Sequence, residues 1–348
     1  MNRLIIKLIA SFARRTIDGY LVTDAVNIAY LTGFPSADSW LIVSPKKCVY
    51  ITDFRYVAQA RAGLKNNITV VRYTRSIGDA VADTTRRLSI ARLGFDERHL
   101  SVDDLKRLRR CMRGTARLVP ANNMVEQVRE IKTAAELRSM RAAVALNLRA
   151  YDFLRRIVKP RMTERSVLEQ LEGFVRRNNA RFSFEPIIAS GPNSCFPHAV
   201  VTDRRIKDND IILIDIGIDI GGYKSDLTRI FFLGKIPPLA RKIYMHVCEA
   251  QQRAIVTIKP GTLACDIDKE ARNYLKKHRL ARFFGHSLGH GVGREVHEGP
   301  AISSQSTAVL AEGMVFTVEP AVYIPHRFGI RIEDVVLVTK HGCKVLSR

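Results

Sequence analysis

The clearest alternation of apolar and polar positions in the chain starts at Ile212. Isoleucine occupies every second position from there to Ile220, which is the period of a strand with one face in a core. Two glycines at 221–222 supply the backbone freedom that a tight turn needs, and residues 225–232 have the pattern of the returning strand. The chain is therefore predicted to form a β-hairpin here, with its loop over residues 219–222.

This predicted hairpin carries one aspartate on each strand. With the loop at 219–222, the pairing rule places Asp215 directly opposite Asp226. The Cβ atoms of such a pair lie roughly 5 Å apart, where two like charges destabilise a sheet. The pair either raises the pKa of one carboxyl sharply or holds a cation between the two carboxylates. We favour the cation, and the alternative is that both residues occupy turn or edge positions that face water.

The pattern along the rest of the chain changes between residues 122 and 132. Before this point short apolar strands alternate with helices, which is typical of a small α/β domain. After it come long helices with apolar residues at helical spacing, one of which has Thr163 as its candidate N-cap. We therefore predict one domain over residues 1–124 and a second over residues 125–348.

Composition restricts the class of protein. A length of 348 residues with 46% apolar and 26% charged side chains suits two domains of a soluble globular protein. The six cysteines form no C-x-x-C pair, which indicates reduced, mostly buried thiols. No apolar run approaches the ~18 residues of a membrane span, and the basic N-terminus over residues 1–15 is interpreted as an amphipathic helix. We therefore expect a cytoplasmic protein that does not enter a membrane.

The net charge of +22 is the unusual feature of the composition. The densest basic cluster lies at residues 106–113, where it could contact the phosphates of a nucleic acid. It has little aromatic interleaving and matches no nucleic-acid-binding motif. We interpret it as a solvated helix face, and nucleic acid is not an expected partner.

Titratable side chains recur in four stretches outside the hairpin that are rich in glycine and proline, at residues 191–199, 285–300, 314–320 and 329–334. Together with the hairpin they offer two Asp, two Glu and a histidine flanked by glycines, a set that can hold two divalent ions bridged by carboxylates. Two-metal sites of this kind activate a bridging water and polarise the scissile carbonyl. A carboxylate-rich set with one imidazole suits Mn, Co or Fe(II) at least as well as Zn.

These stretches resemble the motifs of one enzyme family. The runs D-x-G…G-Y-x-S-D-x-T-R, G-H-x-x-G-H-G-V-G-x-x-V-H-E-x-P, V-E-P and R-I-E-D are similar to those of the pita-bread metallopeptidases. The similarity is greatest to their Xaa-Pro branch of aminopeptidases and dipeptidases (prolidases), and it covers roughly residues 125–348. It implies an α+β protein with a C-terminal pita-bread (creatinase/aminopeptidase) fold and a smaller N-terminal α/β domain of the creatinase/prolidase type.

The resemblance also implies roles for nine residues. The expected metal ligands are Asp215, Asp226, His290, Glu319 and Glu333, of which Asp226 and Glu333 bridge or chelate. Glu319 is in addition the expected general base, and His198 and His297 are expected to contact the substrate and stabilise the tetrahedral intermediate. His286 is expected to line the proline-side pocket, and Arg331 to lie behind the ligand carboxylates. Two manganese ions are the expected cofactors, with cobalt, zinc or iron as alternatives.

The resemblance favours an Xaa-Pro aminopeptidase that acts on proline-containing peptides and forms a homodimer. The runner-up is an Xaa-Pro dipeptidase, and a different class is a non-catalytic peptide- or nucleic-acid-binding module on the same fold. One departure occurs at His326, where the family commonly has a glycine. His326 could alter the rim of the pocket, but a surface turn is the interpretation that we favour.

Overall fold

The computed structural model describes residues 2–35, 37–65 and 67–348. The chain forms two compact units, Met1–Val128 and Arg129–Arg348. Among the described residues no helix is both long enough and apolar enough to cross a membrane. All six cysteines are free, as expected, but Cys48 alone is fully buried.

The first unit is a mixed sheet with helices on it, as the β/α alternation predicts. Its described strands are β1 (Gly19–Val22), β2 (Trp40–Val43), β3 (Cys48–Thr52), β4 (Ile68–Arg72), β5 (Arg92–Phe95) and β6 (Arg117–Pro120), in the spatial order β4-β3-β2-β1-β5-β6. The helices are α1 (Arg3–Ala10), α2 (Phe12–Arg15), α3 (Ala25–Thr32), α4 (Val57–Gly63), α5 (Ile77–Arg87), α6 (Val102–Cys111) and α7 (Met124–Glu130). The boundary between the two units falls inside α7.

Two predictions about this unit are confirmed. The N-terminal amphipathic helix is α1, which buries Ile5 and Leu8 and is capped by the side chain of Asn2; Met1 lies outside the described residues. The basic cluster belongs to α6, where it forms an exposed face opposite the buried Leu108. Helix α3 was not predicted, because its apolar side chains are buried nearly all round and give it little amphipathic pattern.

The second unit combines helices α8 (Ala134–Ile157), α9 (Glu164–Arg177), α10 (Pro238–Val256) and α11 (Ala264–Lys277) with short strands. The strands are β7 (Arg181–Phe182), β8 (Ile187–Ser190), β9 (Ile211–Ile216), β10 (Ile218–Ile220), β11 (Tyr223–Lys224), β12 (Leu227–Phe232), β13 (Gly289–Gly291), β14 (Glu298–Ile302), β15 (Val315–Val318), β16 (Ala321–Ile324), β17 (Phe328–Arg331), β18 (Asp334–Val338) and β19 (Cys343–Val345). They form the sheets β11-β10-β7, β12-β9-β8, β14-β13-β15-β18-β19 and β16-β17. Helices α8 and α9 share one apolar core with these strands, and α10 and α11 share another.

The second unit contains an internal repeat. Helices α9 and α11 run over Glu164–Arg177 and Ala264–Lys277, so that corresponding residues differ by 100 in number. The two copies share a Lys-Pro pair before each helix, at 159–160 and 259–260, and little else in sequence.

The predicted hairpin is present, but its predicted register is wrong by two residues. Strand β9 pairs with β12 so that Asp215 faces Thr228 rather than Asp226. The reversal is a two-residue turn, since Gly221 and Gly222 both have positive φ angles, 61° and 80°, which is the requirement of a type I′ turn. Because Asp226 and Thr228 are two positions apart, the two aspartates still project from the same face.

Candidate metal centre

The five residues expected to bind metal line a single cavity of the second unit, with a volume of about 680 Å³. Asp215 lies near the end of β9, Asp226 directly precedes β12, and His290 lies in β13. Glu319 follows β15, and Glu333 separates β17 from β18. Strand ends from two sheets therefore deliver the side chains to one place.

The side chains of this group are close enough to share ions. Metal-binding atoms of Asp226, His290 and Glu333 all lie within 4.8 Å of one another. His290 Nε2 lies 3.6 Å from Asp226 Oδ2 and 3.3 Å from Glu319 Oε1. Asp226 and Glu333 are only 4% and 2% exposed, so that their carboxylates have lost nearly all contact with solvent.

Three of the carboxyl groups have raised pKa values, which indicates that the protein does not neutralise their negative charge. Burial is the largest of the effects that raise the pKa values of Asp215, Asp226 and Glu333, and the neighbouring carboxylates add to the rise. Burial acts on Glu319 in the same direction, but the hydrogen bond and charge of His290 outweigh it and lower the pKa of Glu319. Arg331 is the one guanidinium that contacts these carboxylates among the described lining residues.

Three observations indicate that the group fits divalent cations. Asp215 Oδ1 and Asp226 Oδ1 are buried and accept no hydrogen bond from the described residues. His290 Nδ1 lies 3.2 Å from the carbonyl oxygen of Gly291, which makes Nδ1 a donor, so that Nε2 is the ring nitrogen directed at Asp226 and Glu319. The remaining donors are carboxylate oxygens, which suit hard divalent ions such as manganese.

Arg331 holds this centre from behind, as the resemblance implies. Its Nη2 donates to Asp215 Oδ2 at 2.6 Å, and its Nε donates to Thr228 Oγ1 at 3.0 Å. Thr228 Oγ1 in turn donates to Glu333 Oε2 at 2.8 Å. One arginine and one hydroxyl therefore fix the orientation of two of the carboxylates.

His286, expected on the proline side, lines the cavity and is held as a neutral ring. Its Nδ1 lies 2.8 Å from the carbonyl oxygen of Ser287, so Nδ1 carries the proton, and its Nε2 lies 3.1 Å from the hydroxyl of Tyr323. That hydroxyl accepts from Arg331 Nη1 at 2.6 Å and thus donates its own proton to His286. Burial lowers the pKa of His286, in agreement with a neutral ring.

The other two histidines also line the cavity. The ring of His297 lies 4.3 Å from that of His290, and burial, followed by the charge of His290, lowers the pKa of His297. His198 is exposed at the cavity wall. The structure thus places all nine residues named from the sequence around one cavity or directly behind it.

Two buried carboxylates that were not predicted fix the loops that carry these histidines. Glu298 binds Lys132 Nζ at 2.9 Å and Arg129, and it accepts from the backbone N–H of Arg294 at 3.1 Å, which closes the loop before His297. Glu164, in the first turn of α9, accepts from Ser190, Asn193 and Thr202 on either side of His198. Tyr323 and Thr228 were missed as well. A strict two-residue alternation from Asp226 would have identified Thr228, whereas no local signal marks the other three.

His326 lies in the exposed turn between β16 and β17, as favoured from the sequence. Its φ angle is +61°, in the left-handed region where glycine is the least strained residue. This conformation explains why a glycine suits the position in related chains.

Comparisons with known proteins were made for both units. Residues 138–340 match the metallopeptidase family M24, and residues 5–131 match the creatinase/prolidase N-terminal domain. An Xaa-Pro dipeptidase of Pyrococcus horikoshii is 32% identical over 355 residues, which cover 100% of this chain and 97% of that protein.

Solved structures give the same result. An Xaa-Pro dipeptidase from Bacillus anthracis has a TM-score of 0.95 at 34% identity and covers 99% of this chain and 97% of its own. An X-Pro aminopeptidase from Thermotoga maritima has a TM-score of 0.88 at 31% identity and covers 97% of each chain. The predicted α+β fold class, with its pita-bread second domain, is confirmed by these matches.

Proposed function

We propose that this chain, which belongs to metallopeptidase family M24, hydrolyses the peptide bond between an N-terminal residue and proline. The observation that carries the proposal is the lining of one cavity by four carboxylates, three of them buried, and His290, with three further histidines on the same wall. Relatives that are named Xaa-Pro dipeptidase and X-Pro aminopeptidase match it over nearly their whole length.

The residues that would hold the metal ions are Asp215, Asp226, His290, Glu319 and Glu333. Two divalent cations bound there supply a Lewis acid for the scissile carbonyl and lower the pKa of a water. We expect manganese, because the donors are mainly carboxylates.

Glu319 is the residue that we assign to proton transfer. Its lowered pKa keeps it ionised at neutral pH, so that it can accept a proton from water and return it to the departing nitrogen. The nitrogen of an Xaa-Pro bond belongs to a tertiary amide, and its departure as an amine depends on that proton. Thr317 Oγ1 lies 3.3 Å from Glu319 Oε1 and holds the carboxylate in place.

The histidines around the cavity take the remaining roles. His297, whose pKa is lowered, and His198 are both exposed to the cavity, and each can donate a ring N–H to the carbonyl oxygen as it gains charge. His286 cannot donate from Nε2, which accepts from Tyr323, and it therefore presents a neutral ring face to the proline.

The test is cleavage of Ala-Pro and Ala-Pro-Ala by protein loaded with Mn(II), repeated after chelation, with Ala-Ala and Ala-Ala-Ala as controls that lack proline. We expect chelator-sensitive release of alanine from the proline peptides and far slower release from the controls. Absence of cleavage by metal-loaded protein would contradict the proposal and support the non-catalytic binding module.

A further inference from the structure

Arg165 is a cation of the cavity wall that the catalytic scheme does not use. Arg165 and Arg331 are the lysine or arginine side chains among the described residues that line the cavity. Arg331 is 4% exposed and already donates to Asp215, Thr228, Tyr323 and the carbonyl oxygen of Pro197. A negatively charged ligand entering the cavity thus has one cation available to it, Arg165.

The backbone at Arg165 is fixed by its neighbours. Glu164 is fully buried and accepts six hydrogen bonds from Ser190, Asn193 and Thr202, among them those of the Ser190 and Thr202 hydroxyls at 2.7 Å each. The backbone N–H of Arg165 itself donates to the carbonyl oxygen of Thr202 at 3.1 Å. The first turn of α9 is therefore tied to the segment that carries His198, and Arg165 keeps a constant position beside it.

The side chain of Arg165, in contrast, is weakly held. Its Nε donates to Asp203 Oδ1 at 2.8 Å, but the two side chains are 51% and 76% exposed. Such surface pairs contribute little to stability and exchange readily. Both terminal nitrogens of the guanidinium donate to no other described residue. They form the pair of parallel donors that binds a carboxylate in a bidentate manner.

The position of Arg165 in its helix does not favour a cation. Arg165 lies in the first turn of α9, where the helix dipole favours acidic side chains and disfavours basic ones. Elsewhere the described wall is acidic, with Glu185 in addition to the four carboxylates of the metal centre. Because the proposed metal ions take the scissile carbonyl and the water, Arg165 is the cation of the described wall that remains for a substrate carboxylate.

We infer that Arg165 binds the C-terminal carboxylate of the substrate, exchanging Asp203 for it, so that the enzyme prefers short peptides that end inside the cavity. The substrate class is a free-acid Xaa-Pro peptide of two or three residues. The inference rests on the proposed Xaa-Pro hydrolysis and adds to it the group that selects peptide length.

The test compares kcat/KM for a free-acid peptide and its C-terminal amide, using whichever of Ala-Pro and Ala-Pro-Ala the wild type cleaves faster. The wild type should prefer the acid. Arg165→Gln should reduce that preference roughly tenfold, mostly through KM, because charge-assisted hydrogen bonds are lost. Asp203→Asn should increase the preference by up to about threefold, because the exposed competitor for Arg165 is removed.

The matched control is Arg176→Gln, which removes the same charge from the last turn of the same helix, roughly 16 Å away at 1.5 Å per residue. It should leave the acid-to-amide ratio at the wild-type value. An unchanged ratio in Arg165→Gln, or an equal fall in both variants, would overturn the inference while Xaa-Pro hydrolysis stands. Failure of the wild type to cleave either peptide would overturn the proposed function and the role of Arg165 with it.

Discussion

Each unit of the chain contains one Asp–His–Glu group whose metal-binding atoms all lie within 4.8 Å of one another. The group of the first unit consists of Asp96, His99 and Glu126, and that of the second unit contains Asp226, His290 and Glu333. Their aspartates are almost equally buried, since Asp96 is 6% and Asp226 is 4% exposed. Residue types, the distances within each group and the burial of the aspartates therefore do not distinguish the two groups, although Glu333 is buried and Glu126 is half-buried.

The group of the first unit is neutralised by the protein itself. Arg98 binds Asp96 through two bonds of 2.9 and 2.7 Å and lies 3.2 Å from Glu126. Asn27 and His99 each lie 2.8 Å from Glu126 Oε1. Burial alone would raise the pKa of both carboxyls, but these partners outweigh it, and both pKa values are lowered.

The group of the second unit has the opposite balance. Burial and neighbouring carboxylates raise the pKa values of Asp226 and Glu333, and Asp226 Oδ1 has no hydrogen-bond donor among the described residues. We therefore expect an Asp–His–Glu group to bind metal where the protein does not supply cations of its own. On this hypothesis charge balance, rather than the choice of residues, separates a structural network from a metal centre.

The largest effect is expected for Asp226→Asn, which removes a ligand of the proposed centre. Loss of a residue that only hydrogen-bonds to a metal ligand lowers metal affinity about 10–100-fold. Loss of a ligand itself should lower the affinity for Mn(II) by more than this, and the rate of Xaa-Pro hydrolysis should fall as well. The metal-free variant should melt at a higher temperature than the metal-free wild type, because one of several buried like charges is gone. Calorimetric titration with Mn(II) and thermal melts measure both.

The matched control for that variant is Asp96→Asn in the other group. It should lower the melting temperature, since it removes one of the two carboxylates that Arg98 contacts, and should leave the Mn(II) affinity unchanged. Equal losses of metal affinity in the two variants would contradict the distinction between the groups.

The next effect is expected for Glu319→Gln, which keeps the shape of the side chain and removes its charge. Turnover should fall by about 10²–10⁴-fold, the usual contribution of a general acid–base group, and the protein should remain folded. Circular dichroism and steady-state kinetics at saturating Mn(II) provide the measurement. Substantial residual activity in the folded, metal-loaded variant would remove Glu319 from proton transfer.

A smaller effect is expected from a variant that turns the Asp–His–Glu group of the first unit into a weak metal site. In the Asp226→Asn background, Arg98→Met removes the cation that neutralises Asp96 and Glu126. Mn(II) at ten times its Kd should then stabilise the protein by about 1.4 kcal/mol, whereas it should have no such effect with Arg98 intact. Thermal melts with and without millimolar Mn(II) compare the two variants, and equal responses would show that charge balance does not decide between the groups.

The sequence predicts the residues of the centre better than the contacts that hold it. Asp215, Asp226, His290, Glu319 and Glu333 lie in glycine-rich runs whose periods set their strand faces, and the structure brings them to one cavity. The register of the hairpin was wrong because two consecutive glycines permit a shorter loop than the predicted one.

The supporting contacts could not be predicted, since each joins residues distant in sequence. Tyr323 reaches His286 across 37 positions, and Glu298 reaches Lys132 across 166. Nothing local distinguishes such a tyrosine or glutamate from one that faces solvent. The same holds for Arg98, which separates the two Asp–His–Glu groups only once its distances to Asp96 and Glu126 are known.

The smallest effect is the pH dependence of the first group. The hydrogen bond from Glu126 raises the pKa of His99 above 6.5, so its contribution to stability is complete below that pH and is lost as pH rises through the folded-state value. The pKa of Glu126 is lowered from 4.5, so its contribution is present above that pH and is lost as pH falls through the folded-state value. The pair should therefore stabilise the protein most between about pH 4.5 and 6.5.

Urea unfolding of the wild type and of His99→Gln, both in the Asp226→Asn background, should give a difference in unfolding free energy that is largest near pH 5.5 and shrinks by pH 8.5. A difference that is the same at both pH values would mean that Glu126 holds His99 as a neutral ring, and that Arg98 alone neutralises the group.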